Sequence, residues 1–148
     1  MKTRRLSLLV LGLILVAGLP CAAAEREAER EAERAFTNAD VRGPYGFLLE
    51  GTINTVGPVA AIGFFVADGN GTLADGTRTI SVNGAVLRQT FRCTYTVNPN
   101  GTGSAECTIL TGGSGKETYD VVLTDKSREI PFVATDPGRI IRGAAVKQ

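Results

Sequence analysis

The sequence predicts an all-β fold, a closed barrel of eight antiparallel strands joined in up-and-down order. From Gly43 onward, apolar and polar residues alternate in short segments, as they do in half-buried strands. Short turns separate these segments, so neighbours in sequence must pair antiparallel. An open eight-stranded meander would leave two unpaired edges, and closure into a barrel removes both of them.

Turn-forming residues mark every break between the predicted strands, as in Asn83-Gly84 and Gly112-Gly113-Ser114-Gly115. The predicted strands are Tyr45–Asn54, Val59–Asp68, Thr72–Asn83, Ala85–Asn98, Thr102–Thr111, Glu117–Thr124, Arg128–Thr135 and Arg139–Val146. The interior of a barrel of this size is filled by side chains or holds one small ligand.

The hairpin at Asn98–Thr102 predicts a disulfide bond. Its sequence, Asn-Pro-Asn-Gly-Thr, suits a type I turn closed by a glycine in the left-handed conformation. Counting outward from this turn brings Cys93 directly opposite Cys107, at a pair of positions where side chains approach closely. The alternative is two free, buried thiols.

The N-terminus predicts export. A basic start precedes the apolar run Leu6–Leu19, which is too short for a typical membrane span. Ala22–Ala24 is typical of a cleavage site, so residues 1–24 are predicted to be a signal peptide and the protein to be secreted or periplasmic, without a transmembrane span after processing. A lipid anchor at Cys21 is the less favoured alternative, because the proline before it fits that signal poorly.

Residues 25–42 are predicted to form a charged helical spacer before the barrel domain, residues 43–148. Glu25–Arg34 reads EREAEREAER, and its residue types favour helix. Because no apolar stripe follows one face, a solvated helix is favoured over a partner-binding one.

The composition excludes several kinds of site. The chain has no histidine, so a Ser-His-Asp triad and a histidine-based zinc site are excluded. No basic patch with interleaved aromatic residues indicates a nucleic-acid partner. The segment Asp68–Asp75 lacks the full ligand ladder of a calcium loop, so a turn is favoured there. No cofactor and no metal are therefore expected.

Five segments between residues 43 and 148 resemble secreted bacterial proteins with an allene-oxide-cyclase-like barrel. They are YGFLLEGT, GPVAAIGFFVADGNGTL, GTRTISVNG, TYTVNPNGTG and VVLTDKSREIPFVATDPGRIIRGAAVKQ. The resemblance implies a small, closed, calycin-like barrel that is often oligomeric. It also implies that plant relatives cyclise an unstable fatty-acid epoxide in an apolar pocket without a cofactor. Glu50 and Pro58 loosely match a glutamate and a proline of those enzymes, but the surrounding residues differ, so catalysis is not carried over.

Three polar residues are weak candidates for a catalytic or binding site inside the barrel. Pairing across Asn83-Gly84 brings Arg78 opposite Gln89, and both point inward with Leu87 unless a bulge intervenes. An inward arginine would anchor a ligand carboxylate, whereas an arginine at the barrel mouth would keep its head in water. Glu50 is a candidate acid or base if it faces inward, and a surface charge if it faces outward.

These observations favour an exported, non-catalytic barrel, a binding or structural module for a small apolar ligand. The alternative is a cofactor-free cyclase or isomerase, so whether the protein is an enzyme stays open. An interior filled by Phe91, Tyr95 and Ile109 favours the first hypothesis. An open apolar pocket on which the three polar candidates converge favours the second.

The first, second and last strands predict a homo-oligomer. Val59–Val66 is apolar on both faces, and parts of the first and last strands share this property. In a closed meander these strands are neighbours, so their outward faces merge into a patch centred on Ile62 and Phe64 or on Ala61 and Phe65. The alternative is that Ala35–Val41 fold over this patch.

Overall fold

A computed structural model describes residues 35–124 and 127–148, so the predicted signal peptide and the EREAEREAER segment lie outside the described residues. Eight antiparallel strands follow one another around a closed barrel, and the first pairs with the last. The strands are β1 (Arg42–Ile53), β2 (Gly57–Asp68), β3 (Thr72–Val82), β4 (Ala85–Val97), β5 (Thr102–Thr111), β6 (Lys116–Val122), β7 (Glu129–Ala134) and β8 (Arg139–Lys147). The predicted fold class is confirmed. Among the described residues, no helix is long and apolar enough to cross a membrane.

The core lies inside the barrel, because one residue in two along each strand points inward. On β1 the inward residues include Tyr45, Phe47 and Leu49, all of them buried. The ring of Phe47 packs against Phe65 of β2 and Phe91 of β4, with ring centroids 6.0 and 5.9 Å apart. The contact between Phe47 and Phe91 joins two non-adjacent strands through the interior.

The β4–β5 hairpin has the predicted register. Asn98 N donates to Thr102 O at 2.7 Å, and Gly101 takes the left-handed conformation with φ of 84°. Cys93 faces Cys107 across the two strands, and the two are joined by a disulfide bond. The predicted disulfide is confirmed, and it lies among buried core residues.

A β-bulge in β3 sets the direction of its inward side chains. The pairing of β3 with β4 shifts between Leu73 and Gly76, and Asp75 between them has a positive φ of 52°. Inward positions are therefore odd-numbered before the bulge and even-numbered after it. Arg78 lies beyond the bulge and points inward. This is the direction predicted by counting residue pairs outward from the Asn83-Gly84 turn.

Residues 35–41 form a strap across one end of the barrel, with a short 3-10 helix at Asn38–Asp40. Phe36 N donates to Pro99 O at 3.0 Å, and Val97 N donates to Asn38 Oδ1 at 2.8 Å. Val41 is buried, and its carbonyl accepts a 2.7 Å hydrogen bond from Tyr95 OH. The strap therefore docks against β4 and the β4–β5 turn, and the alternative in which it covers the β8–β1–β2 face is wrong.

Candidate functional site

The polar cluster, five side chains inside the barrel, is built around an ion pair that crosses the interior. It consists of Arg78, Gln89, Glu117, Tyr119 and Arg139. Arg78 on β3 donates from Nη1 and Nη2 to the two carboxylate oxygens of Glu117 on β6, at 2.7 and 2.9 Å. Because β3 and β6 are not neighbours, this fork-to-fork contact ties opposite walls of the barrel together.

The Glu117 carboxylate accepts four hydrogen bonds. Two come from Arg78, one comes from Tyr119 OH at 2.9 Å, and one comes from Arg139 Nη1 at 2.9 Å. The Nε of Arg78 donates to Gln89 Oε1 at 2.7 Å, and Gln89 in turn donates to the carbonyl of Gly112 at 3.0 Å. A buried ion pair is stable only when such additional hydrogen bonds satisfy its remaining groups, and this one meets that condition.

The cluster holds each of its main groups in one protonation state. Burial alone would raise the pKa of Glu117, but the hydrogen bonds and charge of Arg78 outweigh it and lower that pKa. Burial would likewise lower the pKa of Arg78, and its contacts with Glu117 raise that pKa instead. Burial, followed by the charge of Glu117, raises the pKa of Tyr119. At neutral pH the pair is charged and the tyrosine is a neutral donor.

A cavity of about 90 Å³ lies in the interior between the polar cluster and the strap. Most of its lining is apolar, and Arg78 and Glu117 contribute its charged wall. Its aromatic and strap-side lining comprises Val41, Phe47, Phe65, Phe91, Tyr95, Tyr119 and Phe132. Pockets for drug-sized ligands span about 300–1,000 Å³, so this space suits only a smaller molecule.

The structure brings two of the three predicted candidates together. Arg78 and Gln89 face each other across β3 and β4 and are hydrogen-bonded inside the barrel. Glu50 lies on the outer face, exposed, with its carboxylate 3.1 Å from Nη2 of Arg142. Pro58 is also exposed, so the two residues that loosely match the plant enzymes do not reach the interior.

Sequence reasoning missed the acidic partner. Glu117 stands directly opposite Cys107 on the β5–β6 pair, so its inward direction follows from the cysteine register. The register of β5 and β6 could not be deduced from the sequence, because the glycine-rich segment Gly112–Gly115 joins them. A connection of this kind does not fix a register as a two-residue turn does. Tyr119, two residues along β6, and Arg139, at the start of β8, were missed with it.

The comparisons with known proteins support the fold. No protein-family model and no curated protein sequence matches the chain. Among solved structures the chain is similar to a redesigned β-barrel, mFAP1, solved bound to DFHBI, with 15% sequence identity and a TM-score of 0.54. The alignment covers 74% of this chain and 97% of that one. At this identity the likeness shows a shared barrel fold, and the resemblance to allene-oxide-cyclase-like proteins gains no support from it.

Proposed function

We propose that this protein is a non-catalytic barrel that binds a small, mainly apolar molecule in its interior. The observation that carries the proposal is the cavity of about 90 Å³, which has apolar walls and one charged wall. Ligand sites typically combine such apolar surfaces with a few polar groups that fix orientation. The apolar body of the ligand would lie against Phe47, Phe65 and Phe91, and a polar atom would face Arg78.

Arg78 is suited to orient a ligand without leaving its partner. A guanidinium has five N–H donors, and three of those of Arg78 are engaged by Gln89 and Glu117. A ligand oxygen would use the remaining donors, and the ion pair would stay intact. The redesigned β-barrel mFAP1, to which this chain is similar in fold, was solved bound to DFHBI, and this supports a small-ligand-binding role for this barrel.

The protonation states inside the barrel favour binding over acid–base catalysis. A general acid or base works best when its pKa lies near the working pH. The pKa of Glu117 is lowered, and burial raises the pKa of Tyr45, Tyr95 and Tyr119, all of them away from neutrality. Glu50, the other candidate acid, lies outside the barrel. The cyclase hypothesis therefore has no acid or base among these interior groups.

The proposed setting is outside the cytoplasm. A disulfide such as Cys93–Cys107 forms and persists in oxidising compartments, which supports a secreted or periplasmic protein. The sequence pattern of residues 1–24 points the same way.

The binding proposal is tested with probes that fit the cavity. In ¹H–¹⁵N NMR titrations, xenon and benzene should cause saturable shifts at cavity-lining residues. Ala145→Leu adds bulk at a buried lining position and should abolish these shifts. Ala85→Leu, at an exposed position, should leave them unchanged. The proposal fails if neither probe shifts the lining residues, or if Ala145→Leu binds as well as the parent protein.

A further inference from the structure

The outer surface of the barrel has one apolar sector, formed by the outward residues of β7, β8, β1 and β2. Leu48, Ile62 and Ile140 are the most exposed large side chains in it, at 60%, 65% and 72%. The other apolar members are Ala60, Phe64, Pro131, Val133, Ala144 and Val146. Even-numbered residues of β1, β2 and β8 face outward. The patch is therefore centred on Ile62 and Phe64 and not on Ala61 and Phe65, which are buried.

Register makes the apolar sector continuous. Leu48 on β1 lies directly between Ile62 on β2 and Ala144 on β8. One step along the strands, Gly46 lies between Phe64 and Val146 in the same way. Directly opposed side chains on neighbouring strands are in contact range, so these residues form a single surface.

The described residues provide no cover for this surface. The strap docks at β4 and the β4–β5 turn, on the opposite side of an eight-stranded barrel. The outward faces of β4 and β5 are mainly threonines and charged residues, with Val86 and Leu110 as exposed apolar exceptions, so most of the outward apolar surface lies on β7, β8, β1 and β2. A soluble monomer rarely exposes a continuous apolar patch of this kind.

One ion pair interrupts the apolar sector near its middle. Glu50 on β1 and Arg142 on β8 are directly opposed and paired at 3.1 Å, and both are well exposed. The sector therefore presents one negative and one positive group side by side, on either side of the line between β1 and β8. A surface with this arrangement is complementary to a second copy of itself.

We propose that the apolar sector binds a second copy of this chain in a two-fold dimer whose axis runs along the line between β1 and β8. Rotation about that line places β1 of one copy over β8 of the other. Glu50 then meets Arg142 of the second copy, and Leu48 meets its Ala144. The four charges alternate in sign at the centre of an apolar interface.

The ion pair selects this axis over the nearest alternative. An axis along β1 would place Glu50 against Glu50 of the second copy, and opposed like charges disfavour a contact strongly. The axis between β1 and β8 also centres the interface on all four strands of the apolar sector. There Ile62 of β2 meets Pro131 of β7 in the second copy.

The first test is the mass in solution. Light scattering should be done on protein purified in the form that the expressing cell exports. It should give twice the mass of one such chain at micromolar concentration. Ile62→Lys should give a monomer, because it buries an unpaired charge in the interface. Val86→Lys, at a position on β4 that is 60% exposed, should stay dimeric. A monomeric parent protein across the micromolar range overturns the proposal.

The second test uses complementary charges. Glu50→Arg and Arg142→Glu should each weaken self-association by at least about tenfold in Kd, because each makes all four central charges alike in sign. Mixing the two variants should restore a dimer of one copy of each, and the double variant Glu50→Arg/Arg142→Glu should form a homodimer again. The proposal is overturned if the single variants dimerise like the parent, or if mixing leaves both monomeric. Circular dichroism on each variant confirms that it is folded.

Discussion

The two ends of the barrel interior are stabilised in different ways. Toward the strap, aromatic rings line the interior, and Tyr45 stacks on Phe65 with centroids 5.4 Å apart. Toward the β5–β6 connection, Arg78 and Glu117 fill it with a hydrogen-bonded network. An apolar core responds gradually to changes in volume, whereas a buried charge network depends on every partner being present. The strap end should therefore tolerate a change in packing better than the cluster end.

Two glycines make room for the aromatic rings inside the barrel. A Cβ added at Gly63 would collide with the ring of Phe47, and a Cβ at Gly76 would collide with the ring of Phe91. Each ring thus occupies the space above a strand position that has no side chain. A side chain at either glycine would therefore displace a ring that lines the cavity.

The largest expected effect comes from breaking the ion pair on one side only. Glu117→Gln should cost about 3–5 kcal/mol of unfolding free energy, because it leaves the buried Arg78 charge without a counter-ion. Replacing both partners, in Arg78→Met/Glu117→Leu, should cost clearly less than the summed losses of Arg78→Met and Glu117→Leu made singly. Urea unfolding of the parent, Glu117→Gln and the three variants of this cycle measures these losses, and strictly additive losses in the cycle would show that the pair is not coupled.

The stability that the Arg78–Glu117 pair contributes should also depend on pH. Because the folded pKa of Glu117 lies below its unfolded value of about 4.3, its contribution is fully present above that pH. The contribution is lost as the pH falls through the folded pKa. Glu117→Gln should therefore lose less stability than the parent protein between neutral pH and the acid range. An identical acid profile for both proteins would contradict the ionised pair.

The next effect should come from the disulfide, which lies between the two ends. Cys93→Ala/Cys107→Ala removes a disulfide bond between residues 14 apart in sequence. We expect the free energy of unfolding to fall by roughly 3 kcal/mol, as the chain-entropy model gives for a loop of this size. Thermal unfolding of the two proteins measures the loss. Thiol titration of the unreduced, denatured parent should find no free thiol at either position, and two free thiols there would contradict the bond.

The sequence was sufficient for the strands and the disulfide, because turns of two or three residues fix both pairing and side-chain direction. The Asn83-Gly84 turn correctly directed Arg78 and Gln89 inward, and the turn after Val97 correctly opposed the two cysteines. Glu117 was missed because the glycine-rich connection before it allows more than one register. The strap was missed because its position depends on tertiary hydrogen bonds to β4, which local patterns do not encode.

The smallest effect comes from comparing the β4–β5 turn, which the strap covers, with the β3–β4 turn, which it does not. Gly101 and Gly84 have nearly the same φ, 84° and 87°, so Gly→Ala should cost about 1 kcal/mol of backbone strain at each. A Cβ at Gly84 meets open space, whereas a Cβ at Gly101 lies 3.1 Å from the ring of Phe36. Gly101→Ala should therefore be the more destabilising of the two, by up to about 1 kcal/mol, because the strap must shift. Parallel thermal melts give the difference directly. Equal losses would mean that Phe36 does not pack on the turn in solution, and the aromatic end of the barrel would then lack its cover.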